Sequence, residues 1–484
     1  MDLDLLVAAF AAQKRTAGYS QQDGLYRCIR DALLDGKMPP GTRLPSTRTL
    51  AQELGIARNS VVYAYERLAD EGFVATTRAG TVTVWGGRAH ARDDGAGDGP
   101  AVRLADRVAG LENPHAEPER MAPFVPGLPS LDDFPLAQWR RSIERAWRSI
   151  GPAQLAYGPP EGMPELRRAV AAYIRVSRGV RCETAQVFIT DGTQSSLELC
   201  ARMLANPGEN GWLENPCYSG ARTAFRSTGL RIVPVEVDGD GMAPTDAQWR
   251  DSPPRLIYVT PSHQYPLGSL MSLRRRSELL DRARAHDAWI IEDDYDSEFR
   301  RGGQPLPAIQ GLSADARVCY LGTFSKTMFP GLRLGFMVIP PMLVDRFGNT
   351  LRELVHRGHS AEQLAMADFI ESGLFARHLR KMRTLYAHRR DCLDAMLARH
   401  LGGSLTVRAN PGGMHLSAEL TVPLSDADVA RYALAQRLRL HPLSGYRVGD
   451  GRAYNGFVLG YAGLREPVIE HAAAQFGRLV EQLS

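Results

Sequence analysis

Three things are missing from this sequence, and each absence narrows what the chain does. No two cysteines stand at CxxC spacing: the six, Cys28, Cys182, Cys200, Cys217, Cys319 and Cys392, are scattered. That argues against a zinc site or a disulfide framework and fits a reduced, cytoplasmic setting. No apolar run approaches the ~20 residues of a membrane span, so no membrane partner is expected. No charge of either sign dominates, because 58 Lys and Arg against 54 Asp and Glu leave +4 over 484 residues. A secretory leader is not expected either. Leu5 to Ala12 is apolar, but Asp2 and Asp4 stand where a positive region belongs, so this first helix reads as a docking or packing element.

What is present is globular: 44% hydrophobic and 23% charged residues, over a length that calls for two or three domains. In the first 85 residues, Leu25 to Leu34 is a helical pattern closed by Asp35-Gly36, and Pro39-Pro40-Gly41 forces a turn. A short helix between Leu44 and Ile56 ends at Gly55, and a second helix follows at once. In that second helix Val61, Val62, Tyr65 and Leu68 recur at helical spacing toward a core, leaving Asn59, Ser60, Tyr63 and Arg67 on the opposite face. Two short helices joined at a glycine, the second displaying hydrogen-bonding side chains, make a helix-turn-helix for a DNA major groove. The alternating run Thr76 to Val84 then reads as a hairpin wing.

The plain alternative is a small helical module with a solvated face. Residues 1 to 85 carry ten basic against nine acidic side chains, a net of +1, so bulk charge does not argue for DNA. The placement of Arg43, Arg48, Arg58, Arg67 and Arg78 at turns, helix starts and the wing does, because phosphate contacts need positioned charges. The segment resembles the winged helix-turn-helix of the GntR regulator family in Leu44-Pro45-Ser46-x-Arg48-x-Leu50-Ala51 and in Arg58-Asn59-Ser60-Val61-x-x-Ala64-Tyr65-x-x-Leu68. The resemblance implies a double-stranded operator as partner, with Ser46 and Tyr63 joining the arginines, Asn59 and Ser60 at the contact.

From Gly86 to Pro118 the composition turns to glycine, aspartate and proline, which reads as a flexible linker. Its roughly 30 residues, at about 5 to 6 Å times √n, are long enough for a domain to reach a neighbouring subunit. Residues 119 to 484 alternate strands and helices, the pattern of an α/β domain with a mainly parallel sheet. Val318 to Leu321 reads as a buried strand and Gly322 to Ser325 as its turn, so Lys326 falls on a strand-end loop, where ligands of such sheets bind.

A lysine among apolar residues can lose its proton and form a Schiff base with an aldehyde, the protein's part in pyridoxal phosphate (PLP) chemistry. Thr323, Ser325 and Arg333 suit its phosphate. On residue types alone Lys326 is equally a surface lysine in a polar loop. Further landmarks are Gly192 and Thr193 at a strand-to-helix turn, Tyr218 after another strand, and Asp293, Asp294 and Tyr295 closing a third.

Their order resembles a fold type I aminotransferase from about residue 120 onward. With the GntR-like segment in front, the chain resembles the MocR subfamily of bacterial regulators. The resemblance implies Lys326 as the Schiff-base lysine, Asp293 (or Asp294) at the pyridine nitrogen, Tyr295 at the 3-oxygen and Tyr218 stacked on the ring. It implies Gly192, Thr193, Thr323 and Arg333 at the phosphate, and Tyr157 lent to a partner's phosphate site, hence a domain-swapped homodimer. Three departures stand out. Ser262-His263-Gln264-Tyr265-Pro266-Leu267-Gly268 lacks the usual asparagine, so Gln264 or His263 is expected at the ring oxygen. Val458 stands where a carboxylate-binding arginine is usual, and Ser219-Gly220 follows Tyr218 where another is found, leaving Arg222 as substitute. His415 borders the substrate side or simply packs. The expected function is a PLP-dependent transcription regulator whose effector is PLP or a small amino compound. The alternatives are a working aminotransferase carrying a DNA-binding domain and a constitutive DNA-binding scaffold.

Overall fold

The computed structural model describes residue 10 and residues 20–77, 80–84, 105–108, 122–302, 306–354, 358–410 and 412–484. The chain forms two compact units, Met1–Arg103 and Leu104–Ser484. The expected linker lies outside the described residues except for 105–108, as do the first helix apart from Phe10 and the wing residue Arg78.

In the first unit, helices α1 (Gln21–Leu34), α2 (Thr47–Leu54) and α3 (Arg58–Asp70) precede a two-stranded hairpin, β1 (Val74–Thr77) and β2 (Gly80–Thr83). Serines start two of them: Ser20 accepts from the Asp23 amide, and Ser46 from that of Thr49 at 3.1 Å. Gly55 ends α2 in the left-handed region, with φ at 61°, and this lets α3 begin three residues later at a new angle. The buried stripe of α3 is Val61, Ala64, Tyr65 and Leu68. Val62, expected in the core, is half-buried, because the 3.6 period puts Ala64 on the inner face instead. Tyr65 also donates to the Pro45 carbonyl at 2.9 Å, fixing α3 against the turn that opens α2.

The second unit holds an eight-stranded sheet of β3 (Val187–Thr190), β4 (Asn210–Asn215), β5 (Arg231–Asp238), β6 (Gly241–Met242), β7 (Leu256–Val259), β8 (Trp289–Asp294), β9 (Val318–Thr323) and β10 (Gly335–Val338), in the order β3-β10-β9-β8-β7-β4-β5-β6. The run from β9 to β5 is parallel; β10 runs against β3 and β9, and β6 against β5. Every residue of β3, β4, β7, β8, β9 and β10 is buried, as both-faces-covered strands must be. Helices α4 (Pro164–Arg178), α5 (Thr193–Leu204) and α6 (Ser219–Ser227) pack along it. A separate antiparallel sheet, β11 (Leu405–Val407), β12 (His415–Leu420), β13 (His441–Pro442) and β14 (Gly456–Gly460), packs with the long helices Leu374–Leu401 and Glu466–Leu483.

Candidate functional site

Residues at and just beyond the ends of β3, β4, β8 and β9 converge on one cavity of about 260 Å³. Lys326 hangs into it from the turn after β9, its Nζ donating to the Gly127 carbonyl at 2.8 Å. Gly127 has φ +74°, which disfavours a side chain, and a Cβ there would lie 2.6 Å from Nζ and push the lysine's end aside. Burial holds the Lys326 amine below its ordinary pKa, with Asp296 and Asp293 pulling the other way. An amine so placed is nearer to its nucleophilic, neutral form.

Across the cavity stands Asp293, the penultimate residue of β8. Tyr258 of the neighbouring strand β7 donates to its Oδ2 at 2.8 Å, while Oδ1 is buried without a partner. Burial pushes this carboxyl up to about 7, against the hydrogen bond from Tyr258. A buried, half-satisfied carboxyl at the floor of a cavity suits a ring nitrogen that carries a proton. At the other end Gly192 precedes α5 with φ 100° and offers no side-chain cap, so the first amides of that helix remain available to an anion. Arg333, itself in the left-handed region, holds its guanidinium 3.6 Å from where a Gly192 Cβ would stand. Thr193, Thr323 and Ser325 line the same end. Tyr218, at the start of α6, also lines the cavity and meets Tyr265 edge-on at 5.9 Å. Lysine, carboxyl, stacking ring and anion cradle thus sit together as a phosphorylated aldehyde with a basic ring would require.

Some expected residues lie elsewhere. Gln264 is not at the cavity: its amide donates to the carbonyls of Pro216 and Tyr265 at 2.9 and 2.8 Å, and its oxygen accepts from the Leu267 amide. Its neighbour Tyr265 lines the cavity instead, since successive residues of an extended turn point to opposite sides. His263 sits beyond Tyr295, bonded to it at 3.0 Å rather than lining the cavity. Asp294 is turned to Arg178, 2.5 Å away in a buried ion pair, so of the two adjacent carboxyls it is Asp293 that lines the cavity. Arg222 donates to the Arg447 carbonyl at 3.2 Å. Val458 is fully buried with Leu267, Leu443 and Tyr446. His415 stacks on His263 at 4.8 Å and belongs to that packing. Tyr157 is 82% exposed on its own chain. The sequence reading missed Gly127, Gln194, Tyr258 and Tyr265. A tyrosine at the interior strand position beside Asp293 was a usable signal for Tyr258; nothing in the sequence marked Gly127.

On the first unit, Arg43, Arg48, Arg58, Asn59 and Tyr63 are exposed and Ser60 half-buried. Arg58 reaches Thr47 at 3.3 Å, tying the starts of α2 and α3 together, and the Ser46 hydroxyl is the cap of α2. Arg67 is engaged inside the unit: it pairs with Asp23 and Glu71 and lies 4.0 Å from the ring centre of Tyr26, bracing α3 against α1.

Residues 21–84 match the family of bacterial regulatory proteins of the gntR type, and residues 128–474 match aminotransferase class I and II. The chain is 41% identical over 457 residues to the "Probable rhizopine catabolism regulatory protein MocR" of Rhizobium meliloti, covering 93% of this chain and 92% of that protein. It is 32% identical to the HTH-type pyridoxine biosynthesis transcriptional regulator PdxR of Corynebacterium glutamicum, over 93% and 94% of the two chains. Among solved structures it resembles the α-aminoadipate aminotransferase LysN of Thermus thermophilus, crystallised with N-(5'-phosphopyridoxyl)-L-leucine, at TM-score 0.67 and 29% identity, covering 75% of this chain and 92% of that one. The regulator likeness spans both units, whereas the enzyme likeness spans the second, so the reading as a working aminotransferase with an appendage gives way. The chain belongs to the MocR-type transcription regulators, in which a GntR DNA-binding domain is joined to a fold type I, pyridoxal phosphate-dependent aminotransferase-like domain.

Proposed function

We propose that the cavity binds PLP in order to report on it. PLP supplies an aldehyde that Lys326 or an incoming amine can condense with, and the rest of the site holds it in one pose. Asp293 takes the ring nitrogen, Tyr295 the 3-oxygen and Tyr218 a ring face, while Gly192, Thr193, Thr323 and Arg333 take the phosphate. The carrying observation is the opposition of the buried, partnerless Oδ1 of Asp293 to the enclosed Lys326 amine in one cavity. Asp293→Asn keeps the shape but not the charge. It is expected to weaken PLP binding by about 1.5–3 kcal/mol, or ~10- to 150-fold, in an equilibrium titration followed by visible absorption. Unchanged affinity would remove Asp293 from the site.

Residues 1–85 form the operator reader, 86–118 the connection and 119–484 the effector and dimerisation domain. The protein acts in the cytoplasm as a homodimer exchanging its domains, and Tyr157, largely exposed on its own chain, is given to the partner's phosphate site. The effector is PLP itself or a small amino compound. A buried Val458 supplies no cation for an α-carboxylate, which favours the former. The effector changes operator affinity by binding two domain arrangements differently.

Footprinting upstream of the protein's own gene, with and without PLP, tests the regulation; identical footprints would refute it. In the same assay Arg58→Ala and Arg48→Ala are each expected to cost about 1–3 kcal/mol of operator affinity where they read bases. Arg67→Ala is expected to act first on the stability of the first unit, through Tyr26, Asp23 and Glu71.

A further inference from the structure

Outside the residues lining the cavity, a buried run of polar groups continues from Tyr295 into the protein. The His263 and Asp296 side chains are 4% and 1% exposed. His263 Nδ1 lies 2.9 and 3.0 Å from the two oxygens of Asp296 and 3.0 Å from the phenol oxygen of Tyr295. Asp296 also accepts from the Met414 amide at 3.2 Å. An ionised carboxylate only accepts hydrogen bonds, so the imidazole proton sits on Nδ1 and is shared between Asp296 and the Tyr295 oxygen. Tyr295 then keeps its own proton to donate, and it lines the cavity. The phenol stays protonated, since burial drives its pKa well above the usual value and Asp296, Tyr265, Asp293 and Glu214 add to that.

His415 packs at a tilt against the His263 ring, its Nε2 donating to the Pro266 carbonyl at 3.2 Å. Burial and the neighbouring His263 hold it neutral. His263, Asp296 and His415 form one buried cluster. Their donor atoms lie within 4.8 Å of one another, but His263 Nδ1 is already committed to Asp296 and Tyr295.

We infer that His263, anchored by Asp296, is a positioning residue that fixes Tyr295 as a hydrogen-bond donor toward the 3-oxygen of the bound cofactor. It acts through the phenol and touches no cofactor atom. This rests on the role proposed above for Tyr295. Without the His263 bond the phenol is free to turn its proton to Asp296 or another neighbour, and the ring oxygen loses its donor. With PLP bound, a donor from Tyr295 would stabilise negative charge on that oxygen, so losing it would make a proton held near the Lys326 nitrogen harder to remove. The charged groups that act on Tyr295 are Asp296, Asp293 and Glu214, the first two also on Lys326; none is altered in the His263 and Tyr295 variants.

The test is a pH titration of the visible absorption of the full-length, PLP-saturated protein, with retained PLP and circular dichroism as fold controls. Tyr295→Phe is expected to raise the midpoint by at least one pH unit, a tenfold change in proton affinity. His263→Leu should move it in the same direction by threefold or more, His263→Asn, whose amide can replace the Nδ1 donor, should restore most of the shift, and His263→Leu should add nothing to Tyr295→Phe. Should His263→Leu not fold, His263→Phe, which keeps a ring but has no donor and leaves the Asp296 charge in place, carries the same expectation. A normal titration in His263→Leu beside a shifted Tyr295→Phe overturns the positioning role alone, as does an equal shift in the Tyr295→Phe background. An unshifted Tyr295→Phe overturns the assigned role of Tyr295 and this inference with it.

Discussion

Lys326→Ala is expected to leave a folded protein from which PLP comes away on desalting, with loss of the entire visible band that wild type retains. Among the described residues lining the cavity the amine is the one group able to hold the cofactor's aldehyde covalently; Arg333, Thr193 and Thr323 contribute reversible contacts only. Its neighbours are arranged for it: Gly127 leaves space and a carbonyl, and enclosure lowers the amine's pKa. The variant loses little fold stability by the same logic, because an alanine removes an amine that burial disfavours and exposes one carbonyl to the cavity. The chain has four lysines, Lys14, Lys37, Lys326 and Lys381, so borohydride trapping followed by peptide mapping assigns the attachment directly. In footprints the variant should stop responding to PLP while still binding the operator. Retention of the band in Lys326→Ala, or trapping at another lysine, would defeat the assignment.

The site was legible in the sequence wherever a chemical residue type stood at the end of a buried apolar run. Lys326, Tyr218 and Gly192 come shortly after strands in which every residue is buried, and Asp293 stands at the end of another, and a parallel sheet brings such ends together. What the sequence could not decide was direction over single residues. Gln264 and Tyr265 are adjacent and equally suited to a ring; the backbone turns one inward and commits the other to carbonyls. Asp293 and Asp294 differ in the same way, one facing the cavity and the other Arg178. Contacts between distant segments were invisible for another reason. Gly127 meets Lys326 across 199 residues, and Tyr26 meets Arg67 from a different helix. Neither pairing leaves a periodicity to read. In the second unit the antiparallel sheet β11 to β14 was not foreseen as a separate layer, since its strands are short and interrupted by helices.

Arg178→Met is expected to destabilise the second unit by about 3–5 kcal/mol, the cost of leaving a buried charge unpaired. Arg178, at the end of α4, is 6% exposed at its side chain and Asp294 2%, with Nε and Oδ2 2.5 Å apart. Tyr320 donates to the same Oδ2 at 2.6 Å, and the Arg178 guanidinium also donates to the Ser262 hydroxyl. One guanidinium therefore ties α4, the end of β8 and the turn before Tyr265. Asp294 Oδ1 has no hydrogen-bond partner, so Tyr320 alone cannot satisfy the carboxylate once the arginine is gone. The measurement is urea denaturation followed by tryptophan fluorescence, which reports this unit through the buried Trp212 and Trp249. Adding Asp294→Leu to Arg178→Met should recover part of the loss, because a pair removed together leaves no charge behind. The same pair adjoins Asp293 in the chain, so Arg178→Met should also loosen PLP binding in proportion to how far the end of β8 moves. A single variant as stable as wild type would show that the Arg178–Asp294 pair is not a structural tie of this unit.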